Sequence, residues 1–295
     1  MDKHFQIGEF CFRLICERNI CIPDNFLLFE VSQYNTSEFI YHLKVTECFP
    51  PVNGKPKAIR YDLTVYDTDT GEVRLIGIKG QNTPYALYRE VSSREAEILF
   101  ASDAMNSLCY DPVFVSLFAL ERHMVWKDSM ILHCAYIKYQ GKAILFSAPS
   151  ETGKTTQANL WARYRDSETV NGDRALLQKI GDKWTACGWP VCGTSEICNL
   201  EDIPIYAVVM LRQGKKNHVE RLSPMQAFVQ LYSQITVNQW NRAFVQKAVE
   251  MIEDFVTHVP VWQLTCDISE GAVQCLEAAL FPGDTSRKGG ISYEV

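Results

Sequence analysis

The sequence predicts an α+β fold: a β-rich N-terminal domain over residues 1–110, then a P-loop domain over 111–295 with a mixed β-sheet and C-terminal helices. Three observations carry this. Residues 1–104 alternate apolar and polar side chains, the period of half-buried strands. The apolar run Ala143–Phe146 leads through Ser147 and Ala148 into Gly153-Lys154-Thr155-Thr156 and a helical pattern. The last third carries apolar residues at helical spacing behind capping signals.

Five N-terminal segments alternate with β-branched and aromatic enrichment: Phe5–Cys16, Phe26–Val31, Glu38–Thr46, Ala58–Tyr66 and Val73–Lys79. Asp67-Thr68-Asp69-Thr70-Gly71 between two of them is hairpin-turn chemistry, and its aspartates serve the turn rather than a metal. Pro50-Pro51-Val52-Asn53-Gly54 is a loop. The pattern changes near Asp111-Pro112, after which Val113, Leu117, Leu120 and Met124 place a helix over Val113–Trp126. Strands follow at Met130–Tyr139 and Lys142–Phe146, joined by a turn at Gln140-Gly141. The phosphate loop and a helix over 155–164 come next, then strands at Thr169–Val170, Ala175–Lys179, Trp184–Cys187 and Tyr206–Leu211. The short hairpin connection beside the loop strand requires an antiparallel neighbour, so the sheet is mixed. Ser223-Pro224-Met225-Gln226 is a capping box with proline at the first helical position. A helix over Asn238–His258 shows one apolar face, Val261–Thr265 is a strand, and Asp267 with Glu270 caps a last helix ending at Leu280. Residues 281–295 read as a loose tail.

The 295 residues suffice for a sizeable core, and 47% hydrophobic with 22% charged residues is ordinary for a globular chain. A net charge of −6 lacks the basic footprint of nucleic-acid binding. No run of 18 apolar residues predicts a membrane span. Eleven cysteines and a polar N-terminus lead us to expect reduced thiols in a cytoplasmic protein. Cys11/Cys16/Cys21 and Cys187/Cys192/Cys198 lack the paired spacing of zinc sites and read as small buried hydrophobes.

A strand that ends in Gly-Lys-Thr and opens a helix is what a nucleoside triphosphate requires. Backbone N–H groups and the helix N-terminus face the phosphates, a lysine reaches the outer ones, and a hydroxyl holds Mg²⁺. Ser150, Glu151, Thr152, Gly153, Lys154, Thr155 and Thr156 are therefore the candidate ATP-binding residues, with Thr155 a metal ligand. Ala148 stands where the strict motif has its first glycine. Asp173, in Val170-Asn171-Gly172-Asp173-Arg174, is the candidate base and second Mg²⁺ ligand, or else simply a turn aspartate. His133 inside its strand serves either the site or the structure. Cys192-Gly193-Thr194-Ser195 is either an anion-binding loop or a plain one.

In order, Leu132-His133, Gly141-Lys142, Ser150-x-x-Gly153-Lys154-Thr155 and Val170-x-x-Asp173-Arg174 resemble the C-terminal catalytic domain of HPr kinase/phosphorylase and its relatives, which share a core with phosphoenolpyruvate carboxykinase. The resemblance covers about residues 112–280. It implies that Lys154 binds the β/γ-phosphates, Thr155 binds Mg²⁺, and Asp173 and His133 serve the transfer. The stretch from Gly188 to Ser195 is similar to the substrate-side loop of such kinases. Ala148 and Glu151 replace loop glycines, and Gly172 stands where the bacterial regulators have the first of two aspartates, so Asp173 or another carboxylate such as Glu168 must take that role. The first 104 residues do not match the regulator, so HPr is not the expected acceptor.

The chain thus reads as an ATP-dependent phosphotransferase acting on a hydroxyl of a peptide, protein or small molecule, with Lys154, Asp173 and His133 in the chemistry. The alternative is a catalytically weakened nucleotide-binding or regulatory protein on the same fold, and carboxykinase chemistry is a weaker third reading. Nucleic acid and membrane are not expected partners; assembly into a homo-oligomer stays open.

Overall fold

A computed structural model describes residues 1–32, 37–78, 80 and 83–282. The expected tail from residue 283 onward, and Lys79, lie outside the described residues. The fold is α+β, and its two sheets each mix parallel and antiparallel pairs.

The first sheet contains β1 (Asp2–Ile7), β2 (Phe10–Cys16), β3 (Phe39–Thr46), β4 (Ala58–Ile59), β5 (Leu63–Thr68), β6 (Gly71–Ile76), β7 (Ala86–Ser92) and β8 (Glu95–Ala101), in the order β1-β2-β3-β8-β7-β6-β5-β4. The run expected as one strand over Phe5–Cys16 is a hairpin, because Gly8 at φ +56° turns the chain between β1 and β2. The strand expected at Phe26–Val31 is absent. Pro23 instead starts a one-turn helix, α1 (Asp24–Leu27), that drops Phe26 into the core. Asp69-Thr70 does turn β5 into β6. Neither β7 nor β8 was read individually; the buried Glu90 breaks the apolar alternation of β7, whereas β8 alternates.

The helix expected over Val113–Trp126 is broken into α2 (Asp111–Ser116) and α3 (Glu121–Met124), with Ala119 at φ +48° between them. Then come β9 (Ser129–Tyr139), β10 (Lys142–Ser147), α4 (Lys154–Arg165), β11 (Glu168–Asn171), β12 (Arg174–Ile180), β13 (Lys183–Cys187) and β14 (Ile203–Gln213). Gln140 and Gly141, both at positive φ, make the tight turn from β9 to β10. β15 (His218–Arg221), which the sequence reading missed, precedes α5 (Pro224–Tyr232), whose Ser223–Gln226 capping box is present. The helix expected from Asn238 begins later, as α6 (Arg242–His258) capped by Asn241. After β16 (Val261–Cys266), α7 (Glu270–Leu280) starts at Ser269 rather than Asp267; the Asp267 carboxylate accepts from the Ser269 N–H instead. β10 pairs antiparallel with β9 and parallel with β14, and β14 pairs parallel with β16.

Both faces of β9 are covered, and by different layers. On one face Ile131 packs with the N-terminal sheet, α2, Leu176 and Trp189, while Ala135 and Ile137 pack with α4 and α7. The other face, with Leu132, Cys134 and Tyr136, lies against α5 and α6. A buried ion network ties the halves together: Arg74 bridges Glu72 at 2.9 Å and Glu121 at 2.7 Å, and Arg122 bridges Glu72 and Glu90. The Trp240 indole N–H donates to Glu72 Oε1 and the Asn238 amide to Glu121 Oε1. Burial of these charges is tolerable only because each is paired.

The expectation of uniformly reduced thiols is overturned at one pair. Cys21 and Cys109, 88 residues apart, form a disulfide with Cα atoms 5.4 Å apart. Sequence spacing is blind to a contact made only by the fold. Of the nine free cysteines, seven are buried, as expected of small hydrophobes, while Cys48 is exposed and Cys275 is intermediate. Among the described residues no helix is long and apolar enough to cross a membrane.

His123 stacks on Phe10 at 4.2 Å, and burial pulls its pKa down to about 3. The unfolded chain protonates this ring near 6.5 and the folded chain resists until about 3. Stability must therefore fall as pH drops through that window. Urea titrations at a series of pH values should show this slope reduced in His123→Phe, which keeps the stack and cannot titrate.

Candidate functional site

Residue positions along β9 assemble the site. Ser147, the last residue of β10, pairs with Cys134 on one edge of β9. On the other edge β11 and β12 lie end to end, and the break between them is Gly172-Asp173. There the Cys134 N–H donates to the Asp173 carbonyl at 3.0 Å. Ser147, Cys134 and Asp173 thus form one lateral row, with about 10 Å between the outer backbones at two strand spacings. His133 projects from the face of β9 shared by Ile131 and Ala135, at the seam between the N-terminal layer and α4. The Ser147 hydroxyl donates to the His133 carbonyl at 2.8 Å.

The candidate phosphate loop leaves Ser147 and re-enters regular structure at Lys154. Gly153, at φ +113°, is the N-cap of α4 and lies where a side chain is strained. Ala148 is buried and outside the positive-φ set, so the loop needs no glycine there. Glu151 takes the left-handed conformation at φ +64° and is exposed. Ser150 and Thr156 are exposed too, and Thr152 and Thr155 are half-buried. The Gln213 amide at the end of β14 donates to the Thr152 carbonyl at 3.4 Å. Lys154 is buried. Its Nζ donates to the carbonyls of Ala148 at 3.1 Å and Pro149 at 3.3 Å, folding the side chain over its own loop. Burial lowers the pKa of this ammonium, and the Asp173 carboxylate opposes the shift.

Asp173 is held by a built turn. The Asn171 side-chain oxygen accepts from the N–H groups of Asp173 at 2.9 Å and Arg174 at 3.0 Å, while its amide donates to the Trp189 carbonyl. Turn chemistry and a presented carboxylate are therefore one arrangement. Asp173 Oδ1 lies 3.4 Å from His133 Nε2 and Oδ2 lies 3.2 Å from Arg174 Nε. Burial works against the carboxylate's charge, but His133, Arg174 and Lys154 outweigh it and hold its pKa below the ordinary range. Cys134 beneath them is kept a neutral thiol by burial. Glu168, the alternative carboxylate, pairs with Lys138 at 3.9 Å, four residues up β9 and about 13 Å from this row.

Three further residues, none of them given a catalytic role from the sequence, shape the Asp173 turn. Arg174, part of the Val170-x-x-Asp173-Arg174 motif, braces the carboxylate, and Asn171, whose Asn-Gly pair is turn chemistry, shapes the turn. Gly193, read only as part of a loop that either binds an anion or is plain, closes on Asp173, where an added Cβ would sit 3.1 Å from the Asp173 Cβ. Ser195 in the same loop spends its hydroxyl on the Cys192 carbonyl at 2.7 Å. At Gly172 an added Cβ would meet Ser195 Oγ at 2.0 Å and Cβ at 2.3 Å, so no second aspartate fits beside Asp173. Below Arg174 a cavity of about 250 Å³ opens between the sheets, walled by Leu63, Ile76, Trp189 and Trp240. Gly172→Ala should cost about 1–3 kcal/mol, as overpacking does. Adding Ser195→Gly should recover most of that in denaturant titrations, because it removes both clashing atoms.

No curated protein matches the sequence. The solved structure of the Hpr(Ser) kinase/phosphatase from Coxiella burnetii is 10% identical, with 53% of this chain and 95% of that chain covered and a TM-score of 0.31. A family model described as SynChlorMet cassette protein ScmC matches residues 109–280, from just before α2 to the end of α7. That match spans more than half of the sequence and includes the loop, His133 and the Asp173 turn; the chain belongs to the ScmC family.

Proposed function

We propose that this chain is an ATP-dependent kinase that transfers the γ-phosphoryl group to a hydroxyl of a peptide, protein or small molecule. One observation carries the reading: Ser147, at the end of the loop strand, and a braced, ionised carboxylate flank a single strand position, Cys134, and the loop lysine lies near enough for that carboxylate to act on its charge. A plain turn aspartate does not require a histidine on one oxygen and an arginine on the other.

In this mechanism the backbone N–H groups at the start of α4 bind the phosphates, and Lys154 Nζ exchanges the carbonyls of Ala148 and Pro149 for phosphate oxygens. Asp173 accepts the proton of the incoming hydroxyl, and His133 and Arg174 hold its two oxygens in place. Thr155 and Asp173 offer hard oxygen donors of the kind Mg²⁺ takes alongside phosphate oxygens. When bound there, the ion neutralises charge on the phosphates. The N-terminal sheet, as a separate domain over 1–110, supplies one wall of the cavity beneath Arg174, so we assign it to the acceptor side.

A second reading, a nucleotide-binding regulator without turnover, is favoured by Glu151 in the loop and by the lack of room at Gly172. ATP turnover separates the two.

Saturating Mg-ATP at about 100 times its Kd should stabilise the wild-type chain by roughly 2.7 kcal/mol. Lys154→Ala should lose that stabilisation in a thermal-shift measurement while keeping its ligand-free melting behaviour. Unchanged ATP binding in the variant would overturn the nucleotide assignment. Asp173→Asn should keep nucleotide binding and lower phosphoryl transfer on the order of 10²-fold or more, the usual cost of losing a general base. Full activity in that variant would sink its role as base.

A further inference from the structure

The loop that touches Asp173 is anchored far from the nucleotide. Cys192 is buried, and its Sγ accepts from the Asn25 amide at 3.2 Å. The same amide donates to Asp111 Oδ2 at 2.7 Å, and the Cys192 thiol itself faces that oxygen at 3.9 Å. Asn25, Asp111 and Cys192 therefore form a three-membered polar clamp. Asn25 belongs to α1 and Asp111 opens α2. These are the two segments that the Cys21–Cys109 disulfide joins, four and two residues upstream of the clamp. Both cysteines of the bridge lie in exposed positions, open to a reductant. The next residue after Cys192 is Gly193, whose backbone lies against the Asp173 side chain. The Cys192 carbonyl also accepts from Ser195, the residue packed on Gly172. The path from bridge to carboxylate is thus covalent bond, amide hydrogen bonds, and a glycine contact.

We propose that the Cys21–Cys109 disulfide positions Asp173 through the Asn25–Asp111–Cys192 clamp, so that thiol reduction of the bridge loosens the site. This rests on Asp173 being the base. In the reducing step an external dithiol gives two electrons and two protons. The S–S bond breaks to leave two cysteine thiols, and the dithiol leaves as its own disulfide. The joined segments then separate by local opening, Asn25 and Asp111 drift from register, and the loop at Cys192–Ser195 loses its anchor. Asn25, Asp111 and Cys192 act as positioning residues; none of them touches the reacting groups.

The test uses the full chain and does not depend on turnover. Iodoacetamide labelling, read by peptide mass spectrometry, reports Cys192 accessibility, and the exposed Cys48 serves as an internal standard. With the bridge intact, Cys48 should label and Cys192 should be protected. After dithiothreitol reduction, or in the Cys21→Ser/Cys109→Ser variant, Cys192 labelling should accelerate about tenfold, the effect of losing one hydrogen-bonded partner of ordinary net strength. Asn25→Leu keeps the bridge and removes the clamp, so Cys192 should label at the faster rate in either redox state. The same treatments should lower kcat for phosphoryl transfer and leave the KM for ATP unchanged. Equal protection of Cys192 in the oxidised and reduced chains would overturn the proposal, whatever the activity. So would an Asn25→Leu chain that keeps Cys192 protected. Accelerated labelling without any transfer activity would instead fault the kinase reading and leave the clamp standing.

Discussion

The site depends on the antiparallel pairing of β9 with β10 on one edge and with the β11–β12 pair on the other. Ladder hydrogen bonds fix strand separation at about 4.8 Å, so a residue at the end of β10 and a residue in the β11–β12 break have a set lateral distance. A one-residue slip would turn the slipped strand's side chains to the opposite face, moving Ser147 out of the row if β10 slipped and Asp173 if β11 and β12 did. Register is held because both faces of β9 are buried, one by α5 and α6, the other by α4, α7 and the N-terminal layer. The hydrophobic pattern of β9 therefore does more than build a core; it sets where the carboxylate stands relative to the lysine.

The N-terminal layer completes this arrangement from the other side. It packs on Ile131, Leu176, Cys187, Trp189 and Val191, while α4 packs on Ala135 and Ile137. His133 lies between these two contacts. Asp173 is ionised in a half-buried position because three cationic or hydrogen-bonding neighbours converge on it. The buried network of Arg74, Arg122, Glu72, Glu90 and Glu121 links the layers, and breaking it by removing one partner would leave an unpaired buried charge. The two halves are joined by apolar packing and by paired charge at once.

Local signals were read well where they act locally. The Gln140-Gly141 turn, the Ser223 capping box, the loop ending in Gly153 and the strands of the second sheet other than β15 lie close to where the sequence reading put them. The reading failed where distant groups override local preference. Apolar alternation at Phe26–Val31 forms a helical turn because Phe26 is needed in the aromatic cluster with Phe5, Phe12, Phe114 and Phe118. Helical spacing at Val113–Trp126 is interrupted at Ala119. The buried Glu90 disguised a strand, since its charge is satisfied by Arg122 from another element.

By itself, the sequence determined the chemistry available: a candidate phosphate loop from strand through Gly153-Lys154-Thr155 to helix, and an Asn-Gly-Asp turn able to present a carboxylate. These are set by neighbours within a few residues, through backbone conformation and side chain to backbone hydrogen bonds. Tertiary structure alone decided that the Asp173 carboxylate lies near enough to Lys154 to act on its charge, that Arg174 and His133 brace the carboxylate, that Gly172 has no room for a side chain, and that Cys21 meets Cys109. Apart from the Asp173–Arg174 pair, those relations join residues about twenty to ninety positions apart. Strand register and layer packing create them, and no local pattern encodes a distance between segments that meet only when the sheet forms.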